Sequence, residues 1–238
     1  MFATFKLLLI WVPLGLSAGL LGIPYTLMVD DISLLYRVAM WIIRSGLSAG
    51  GIRVEVVGRE RVPAGQSVIF LCNHVSNLDP PVVLPVLPGR CSVLLKKELM
   101  RIPILGRAMR MAQFVPVERG SRRESAQASV VAAADALNAG LNMLVFPEGT
   151  RSRDGRLSPF KKGPFFLAQQ TGALMIPVAI SGTERMMRKG SFLVKPGVAR
   201  VEMLEPINPA EYTTREQLMQ AVHAALAAAL PESMRPAQ

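Results

Sequence analysis

The sequence predicts an α/β fold with a mixed, largely parallel central sheet flanked by helices. Short apolar runs rich in β-branched residues alternate along the chain with segments of helical periodicity, which is the pattern of βαβ units. Two of these runs, at 68–72 and 143–146, are apolar throughout, as in strands covered on both faces. The 238 residues are enough for one α/β domain with a substantial core.

The first element is a long uncharged stretch. Residues 7–29 carry no charged side chain and would extend about 34 Å as a helix, enough to cross the hydrocarbon core of a bilayer. Pro13 and Pro24 fall within this stretch and weaken a straight span. We therefore favour an anchor that dips into one leaflet, with a single membrane span as the alternative.

The second element, residues 32–48, is predicted to be an amphipathic helix. Helical spacing assigns Leu34 and Trp41 to one side and Arg37 and Arg44 to another, a distribution that suits a membrane interface. We predict that residues 1–50 form two membrane-docking helices. The α/β domain then comprises residues 51–238.

The remaining elements follow from apolar runs and helix signals. A capping box at Ser121-x-x-Glu124, with Gly140 beyond, bounds one helix, and Thr213-x-x-Glu216 starts the last. Alternation at 52–57 marks an edge or half-buried strand. The predicted strands are 52–57, 68–72, 92–95, 114–117, 143–146, 175–180 and 198–204; the predicted helices are 80–87, 98–111 (interrupted at Pro103 and Gly106), 121–138, 164–170 and the C-terminal one.

Composition narrows the class of function. The formal net charge is +10 and half of the residues are hydrophobic, a combination that favours an anionic membrane surface over nucleic acid as the partner. Two cysteines without a C-x-x-C spacing indicate neither a disulfide framework nor a metal site. Histidine chemistry must use His74 or His223, and we expect His223 to be a surface residue of the last helix.

The strand at 68–72 delivers His74 to its end, and Asp79 follows five residues later, before Pro80. We place Asp79 at the N-cap of a helix, where the loop can curl back and set its carboxylate against the imidazole. Such a pair can remove a proton from an external hydroxyl. The alternatives are a plain helix cap with a backbone-bonded histidine, and a covalent acyl-cysteine at Cys72.

Three further strand ends carry polar or basic residues. Lys96 and Lys97 follow one strand, Arg119 follows the next, and the run FPEGTRS at 146–152 follows a third. An arginine can grip a phosphate with two parallel hydrogen bonds. A glutamate in such a turn can accept from a substrate hydroxyl or hold an arginine. Because the carboxyl ends of parallel strands share an edge, these residues are expected to gather there.

The motifs occur together in one order: Asn73-His74-x4-Asp79, FVPVER at 114–119, FPEGTRS at 146–152 and IPVAIS at 176–181. In this the chain resembles the glycerolipid acyltransferase family, typified by bacterial 1-acyl-glycerol-3-phosphate acyltransferases, over roughly residues 50–185. The resemblance extends to KKEL at 96–99, PILG at 103–106 and FKKG at 160–163.

The resemblance implies a glycerol-3-phosphate acyltransferase-like fold and a role for each motif residue. His74 matches the general base and Asp79 the residue that orients it. Arg119 matches a phosphate-binding arginine, with Lys96 or Lys97 as a helper. The acceptor-binding stretch corresponds to Glu148, Gly149, Thr150 and Arg151.

The implied reaction moves a fatty acyl group from acyl-CoA or acyl-carrier protein to 1-acyl-glycerol-3-phosphate, giving phosphatidic acid, without a resident cofactor or metal. The expected location is the cytoplasmic face of the cell membrane, anchored by the N-terminus. Alternatives are an acyltransferase for another lysolipid, such as a lyso-amino-acid lipid, and a non-catalytic lipid-binding protein.

Overall fold

The computed structural model of the chain describes residues 2–117, 123–152, 154–187 and 190–236. Within these ranges the helices are α1 Phe2–Val29, α2 Ser33–Ala49, α3 Asp79–Val83, α4 Leu105–Met111, α5 Arg123–Asn138, α6 Gly163–Thr171, α7 Thr183–Met186 and α8 Arg215–Ala229. The strands are β1 Ile52–Val57, β2 Ile69–Cys72, β3 Cys91–Lys96, β4 Val115–Val117, β5 Asn142–Val145, β6 Met175–Ser181 and β7 Gly197–Met203.

The seven strands form one sheet in the order β1-β7-β6-β2-β5-β3-β4. Every neighbouring pair is parallel except β6 and β7, which are antiparallel. The predicted α/β class with a mixed, largely parallel sheet is confirmed. β1 is an edge strand, and Ile52 is the one residue of this strand that is buried.

Helices cover both faces of the sheet. Because successive residues of a strand point to opposite faces, one strand contributes to the core on each side. Phe70 and Cys72 of β2 face a core shared with α1, α2 and α3. Ile69 and Leu71 face a second core, built with α5, α6 and α8. The all-apolar sequence of β2 therefore follows from burial on both faces.

The first helix is longer and less interrupted than predicted. α1 runs from Phe2 to Val29 through Pro13 and Pro24 without a break. Among the described residues it is the one helix long and apolar enough to cross a membrane, and most of its length is not buried within the protein. Its first turns nevertheless pack into the core that contains Phe70 and Cys72, where Leu7 is buried.

Helix α1 packs against α2 and α4 through close contacts. The Trp11 indole N–H donates to the Ile43 carbonyl at 3.2 Å, and a Cβ added at Gly46 would overlap that indole. Farther along α1, Gly19 receives the side chain of Ile104, which precedes α4 and has a φ of 62°. The contacts between α1 and the rest of the chain thus extend over much of the helix.

The predicted faces of α2 are wrong. Leu34, Arg37, Trp41 and Arg44 are all exposed, and they form one stripe because residues three and four apart lie on the same side of a helix. The other side is buried against the sheet and α1. Tryptophan and arginine therefore share the solvent-facing side, an arrangement still suited to an interface where long basic side chains reach outward.

Three other boundaries differ from prediction. The segment at 98–111 divides into a short 3₁₀ turn, Lys97–Arg101, and α4, which includes Gly106. The segment at 80–87 divides likewise into α3 and a 3₁₀ turn, Leu84–Val86. The capping box of α8 is formed by Thr214 and Gln217, one residue later than predicted. The box predicted at Ser121 begins outside the described residues.

Candidate functional site

The sheet brings the ends of its parallel strands to one edge. β5 lies between β2 and β3, so the turn at 146–152 stands beside the His74 loop. Lys96 ends β3 and Lys97 follows it, two strand spacings or about 10 Å from the end of β2. Arg119 lies outside the described residues, which in this part of the chain end at Val117 of β4.

The structure brings His74 and Asp79 together, as the sequence predicted. His74 Nδ1 lies 2.8 Å from Asp79 Oδ2, while Asp79 is fully buried and His74 keeps 14% of its side-chain exposure. A carboxylate can only accept, so the contact places the ring proton on Nδ1. Nε2 is then the nitrogen left to take a proton from a bound hydroxyl.

Asp79 does not cap the helix at Pro80. Leu78 occupies the N-cap position without a side-chain hydrogen bond, and Asp79 is the first residue of α3. Its Oδ2 turns back to the loop and accepts from the N–H groups of Val75 and Ser76, each at 2.7 Å. The loop main chain, rather than a capping role, therefore aims the carboxylate at the imidazole.

A fourth donor to Asp79 was not found from the sequence. Thr183, the first residue of α7, is fully buried and donates from Oγ1 to Asp79 Oδ1 at 2.6 Å. Its position in the sequence could have pointed to this role, because Thr183 follows β6, which ends at the same edge of the sheet as His74. A polar residue two positions beyond IPVAIS could have been assigned to the site on that ground.

The turn at 146–152 holds the main chain of His74 on both sides. The His74 N–H donates to Glu148 Oε1 at 2.6 Å, and the Ser152 N–H donates to the His74 carbonyl at 2.8 Å. Glu148 Oε2 accepts from the Ser158 N–H at 3.0 Å. Both carboxyl oxygens therefore accept from backbone donors of the protein, and the predicted acceptance from a substrate hydroxyl or pairing with an arginine stays a prediction.

Burial raises the pKa of the Glu148 carboxyl, while the N–H donors of His74 and Ser158 act in the opposite direction. Gly149 has a φ of 70°, a conformation that suits glycine, and its N–H closes the turn on the Phe146 carbonyl. The turn thus combines a buried carboxyl with a tight bend, and both support the histidine.

Aromatic and sulfur neighbours complete the surroundings of the imidazole. The Phe146 ring lies 4.3 Å from the His74 ring, centroid to centroid, and is tilted by 32°. Cys72 is fully buried, and this burial raises the pKa of its thiol well above the usual value. A buried thiol of this kind is a poor nucleophile, so the covalent alternative at Cys72 is disfavoured.

The remaining predicted residues line the exposed side of this edge. Thr150 is exposed, Arg151 is half-buried, and Lys96 and Lys97 are exposed. Lys96 Nζ lies 3.1 Å from Glu98 Oε1. Cationic side chains thus stand beyond β5 and β3, to one side of the His74–Asp79 pair.

The other histidine is not a simple surface residue. His223 of α8 is half-buried, its ring contacts Phe160 edge to face at 4.8 Å, and burial lowers the pKa of its imidazole. His223 is therefore only partly the surface residue that was predicted, because the Phe160 ring packs against its imidazole.

The sequence model of the Acyltransferase family matches residues 53–181, more than half of the chain and the span that carries every motif of the site. The chain belongs to the Acyltransferase family. In this acyltransferase the family match begins within β1 and ends with β6.

Two named acyltransferases are similar to the chain in sequence. The chain is 33% identical over 188 residues to the 1-acyl-sn-glycerol-3-phosphate acyltransferase of Limnanthes douglasii, and 33% identical over 168 residues to the alpha form from Homo sapiens. These alignments cover 78% and 71% of this acyltransferase. They span 66% and 59% of the length of the two relatives.

A solved structure is similar over nearly the whole chain. The 1-acyl-sn-glycerophosphate (LPA) acyltransferase PlsC from Thermotoga maritima superposes with a TM-score of 0.81 at 26% identity. The match covers 94% of this acyltransferase and 91% of that chain. The helices that precede β1 therefore belong mostly to the shared architecture, because residues 1–50 make up far more than the unmatched fraction.

Proposed function

We propose that the protein transfers a fatty acyl group from an acyl thioester to the free hydroxyl of 1-acyl-glycerol-3-phosphate, giving phosphatidic acid. The observation that carries this proposal is the buried Asp79 carboxylate, 2.8 Å from His74 Nδ1, at an edge that also presents cationic side chains. The names of the relatives support the acceptor.

In the proposed reaction His74 is the general base. His74 Nε2 takes the proton of the acceptor hydroxyl while the hydroxyl oxygen attacks the thioester carbonyl carbon. The new C–O bond forms, the C–S bond breaks, and the proton passes from the imidazolium to the departing thiolate. Asp79 stabilises the imidazolium and holds its orientation, and such a base contributes about 10²–10⁴-fold to the rate.

The acceptor phosphate is assigned to the cationic side of the edge. Arg151 and Lys96 or Lys97 are its proposed partners, with Arg119 from the sequence resemblance, and Gly149 and Thr150 line its approach. Glu148 contributes by holding the His74 main chain. Acyl-CoA and acyl-carrier protein are both proposed donors. The chemistry requires no resident metal or cofactor, since the thioester is already activated.

The test compares wild type with His74→Ala, using labelled acyl-CoA or acyl-carrier protein and 1-acyl-glycerol-3-phosphate. Loss of the base is expected to lower kcat by about 10²–10⁴-fold. His223→Ala is the matched control, because it removes the other histidine of the chain and is expected to keep activity. Equal activity of His74→Ala and wild type would reject the mechanism.

A panel of acceptors tests substrate identity separately. Lysophosphatidic acid is expected to be acylated faster than lysolipids without an exposed phosphate, and Arg151→Ala is expected to reduce that preference. Equal rates on all acceptors would favour the broader lysolipid acyltransferase. Binding to liposomes with no turnover on any acceptor would favour the lipid-binding alternative.

We further propose that residues 1–50 dock the enzyme on the cytoplasmic face of the cell membrane. Buried positions of α1 extend from Ala3 to Thr26, about 35 Å along the helix. A helix that packs on α2, and locally on Ile104 and Val194 of the α/β domain, over such a length fits a position within one leaflet better than a span across the bilayer. Protease protection of the C-terminus in sealed vesicles tests the side of the membrane.

A further inference from the structure

The loop between α7 and β7 carries an apolar tip, formed by Phe192 and Leu193. Phe192 is 82% exposed and Leu193 55% exposed, whereas the next residue, Val194, is buried. The Val194 N–H donates to Thr4 Oγ1 at 2.8 Å, which ties the loop to the first turn of α1. A large aromatic and a large aliphatic side chain presented together on a tethered loop mark a contact surface.

The apolar tip continues the exposed apolar surface of α1. Phe2 and Phe5 flank Thr4 on this first turn, and both are strongly exposed. α1 is long enough and apolar enough to enter a membrane, and little of it is covered by the protein. Whatever surface accommodates the start of α1 will therefore also meet the apolar tip.

The charges around the tip identify the chemistry of that surface. Lys6 in α1, Arg185 in α7 and Lys195 after the tip are all exposed, and Arg185 Nε lies 3.4 Å from Glu184 Oε1. The Lys6 Nζ lies 5.0 Å from the centroid of the Phe2 ring. Aromatic and aliphatic groups bordered by cations are suited to a membrane surface with anionic headgroups, in agreement with the net charge of +10.

The tip is also linked to the His74–Asp79 pair through a short segment. The Lys195 N–H donates to the Met186 carbonyl at 2.9 Å, and the next carbonyl, that of Met187, accepts from Ser76 Oγ at 2.8 Å. At the other end of this segment Thr183 donates to Asp79. These hydrogen bonds therefore fix the position of the tip relative to the loop that carries His74.

We propose that the apolar tip inserts into the anionic lipid surface as a second membrane contact, contributed by the α/β domain itself. Together with α1 it sets the height of the His74–Asp79 pair above the membrane. This consequence rests on the proposed function, because it places the imidazole at the level of a lipid hydroxyl. The insertion itself does not depend on which reaction the site catalyses.

The direct test uses a single reactive cysteine in the full-length protein. Cys72 and Cys91 are both buried, so an introduced surface cysteine can be labelled selectively with an environment-sensitive fluorophore. The test variant is Phe192→Cys. Leu20→Cys, exposed on α1, is the positive control, and Val131→Cys, exposed on α5, is the negative control.

On vesicles of phosphatidylglycerol and phosphatidylcholine, the labels at 192 and 20 are expected to shift to shorter wavelength and to be quenched by nitroxide-bearing lipids. The label at 131 is expected to remain in water. A label at 192 that behaves like the one at 131 would overturn the proposal, whether or not the label at 20 inserts. This readout is independent of acyl transfer.

Activity gives a second test. Phe192→Asp/Leu193→Asp is expected to lower transfer to an acceptor embedded in vesicles by about tenfold or more, while transfer to a short-chain, water-soluble acceptor stays close to wild type. Val131→Asp is the control and is expected to change neither. Equal losses on both acceptors, or no loss on vesicles, would contradict a membrane-inserting tip.

Discussion

Asp79 accepts hydrogen bonds from four donors, and each comes from a different residue. Oδ2 accepts from His74 Nδ1 and two loop N–H groups, and Oδ1 accepts from Thr183. A fully buried carboxylate is stable only when such donors replace water. The four donors therefore replace water around the Asp79 carboxylate and fix its direction toward the imidazole.

Thr183→Val is expected to lower kcat by roughly tenfold or more with little change in KM for the acceptor. Valine has nearly the same shape but leaves the buried Oδ1 without its donor, a loss of about 1–3 kcal/mol. Thr183→Ser keeps the hydroxyl and is expected to retain most activity. Steady-state kinetics and melting temperatures of the three proteins check this. Similar kinetics in all three would remove Thr183 from the positioning of Asp79.

Glu148 makes stability depend on pH. Burial raises the pKa of its carboxyl above the usual 4.5, so the folded protein holds a proton that the unfolded chain releases. This contribution to stability is present below pH 4.5 and is lost as pH rises through the folded pKa.

The melting temperature of wild type minus that of Glu148→Gln is therefore expected to fall as pH rises from below 4.5. Glutamine has no titration at this position, so the difference isolates the carboxyl. Melting curves of both proteins across acidic to neutral pH provide the measurement. A difference that stays flat, or that grows with pH, would contradict the raised pKa.

Among the elements, α1 depends on a glycine for its contact with the segment before α4. A Cβ at Gly19 would overlap Ile104 Cγ2, and Ile104 cannot move freely because its backbone is already in the left-handed region of φ. Gly15, in the same helix, has open space around the corresponding position.

Gly19→Ala is expected to destabilise the protein by about 1–3 kcal/mol through overpacking. Gly15→Ala is expected to be neutral or to stabilise the helix by about 0.5–1 kcal/mol, since alanine loses less conformational entropy than glycine when the chain folds. Denaturant unfolding of the two variants in the same detergent checks this. Equal effects of both substitutions would mean that α1 is not packed at Gly19.

For the whole molecule, the predicted boundary at residue 50 does not coincide with a boundary of the hydrophobic core. Met40 and Leu47 of α2 are buried against the sheet with Ile52 and Val82. The Cys91 N–H also donates to the Tyr36 hydroxyl at 3.1 Å. Helix α2 therefore helps to build the α/β domain in addition to any membrane contact.

Deletion of residues 2–50 is expected to abolish cooperative folding, because it removes core side chains worth about 1.5–3 kcal/mol each. Deletion of residues 2–29 keeps α2 and is expected to leave a more ordered protein. Gel filtration and thermal melts of the two deletions compare them. A monomeric, cooperatively melting and active 2–50 deletion would instead establish residues 51–238 as an independent domain.

Local chemistry was enough to predict much of this architecture. All seven strands were recognised from apolar runs, and β1 was recognised as an edge or half-buried strand from alternation, because burial on one or two faces leaves a direct record in side-chain type. The closeness of His74 and Asp79 was also predictable, since one short loop at a strand end separates them.

The faces of α2 and the role of Asp79 in its loop were not predictable in the same way. Which side of α2 is buried depends on where α1 and β1 lie, and helical spacing alone does not contain that information. Asp79 before two prolines is typical of a cap, yet the N–H groups of Val75 and Ser76 bind its carboxylate instead.

The sequence by itself therefore determined the fold class, the order of the elements and the residues that gather at one edge of the sheet. Only the tertiary structure decided how those residues are held: Thr183 reaches Asp79 across 104 positions of sequence, and Glu148 grips the His74 main chain across 74. The reason is physical. Strand and helix patterns arise from neighbouring residues, whereas these hydrogen bonds require β6, β2 and β5 to lie side by side.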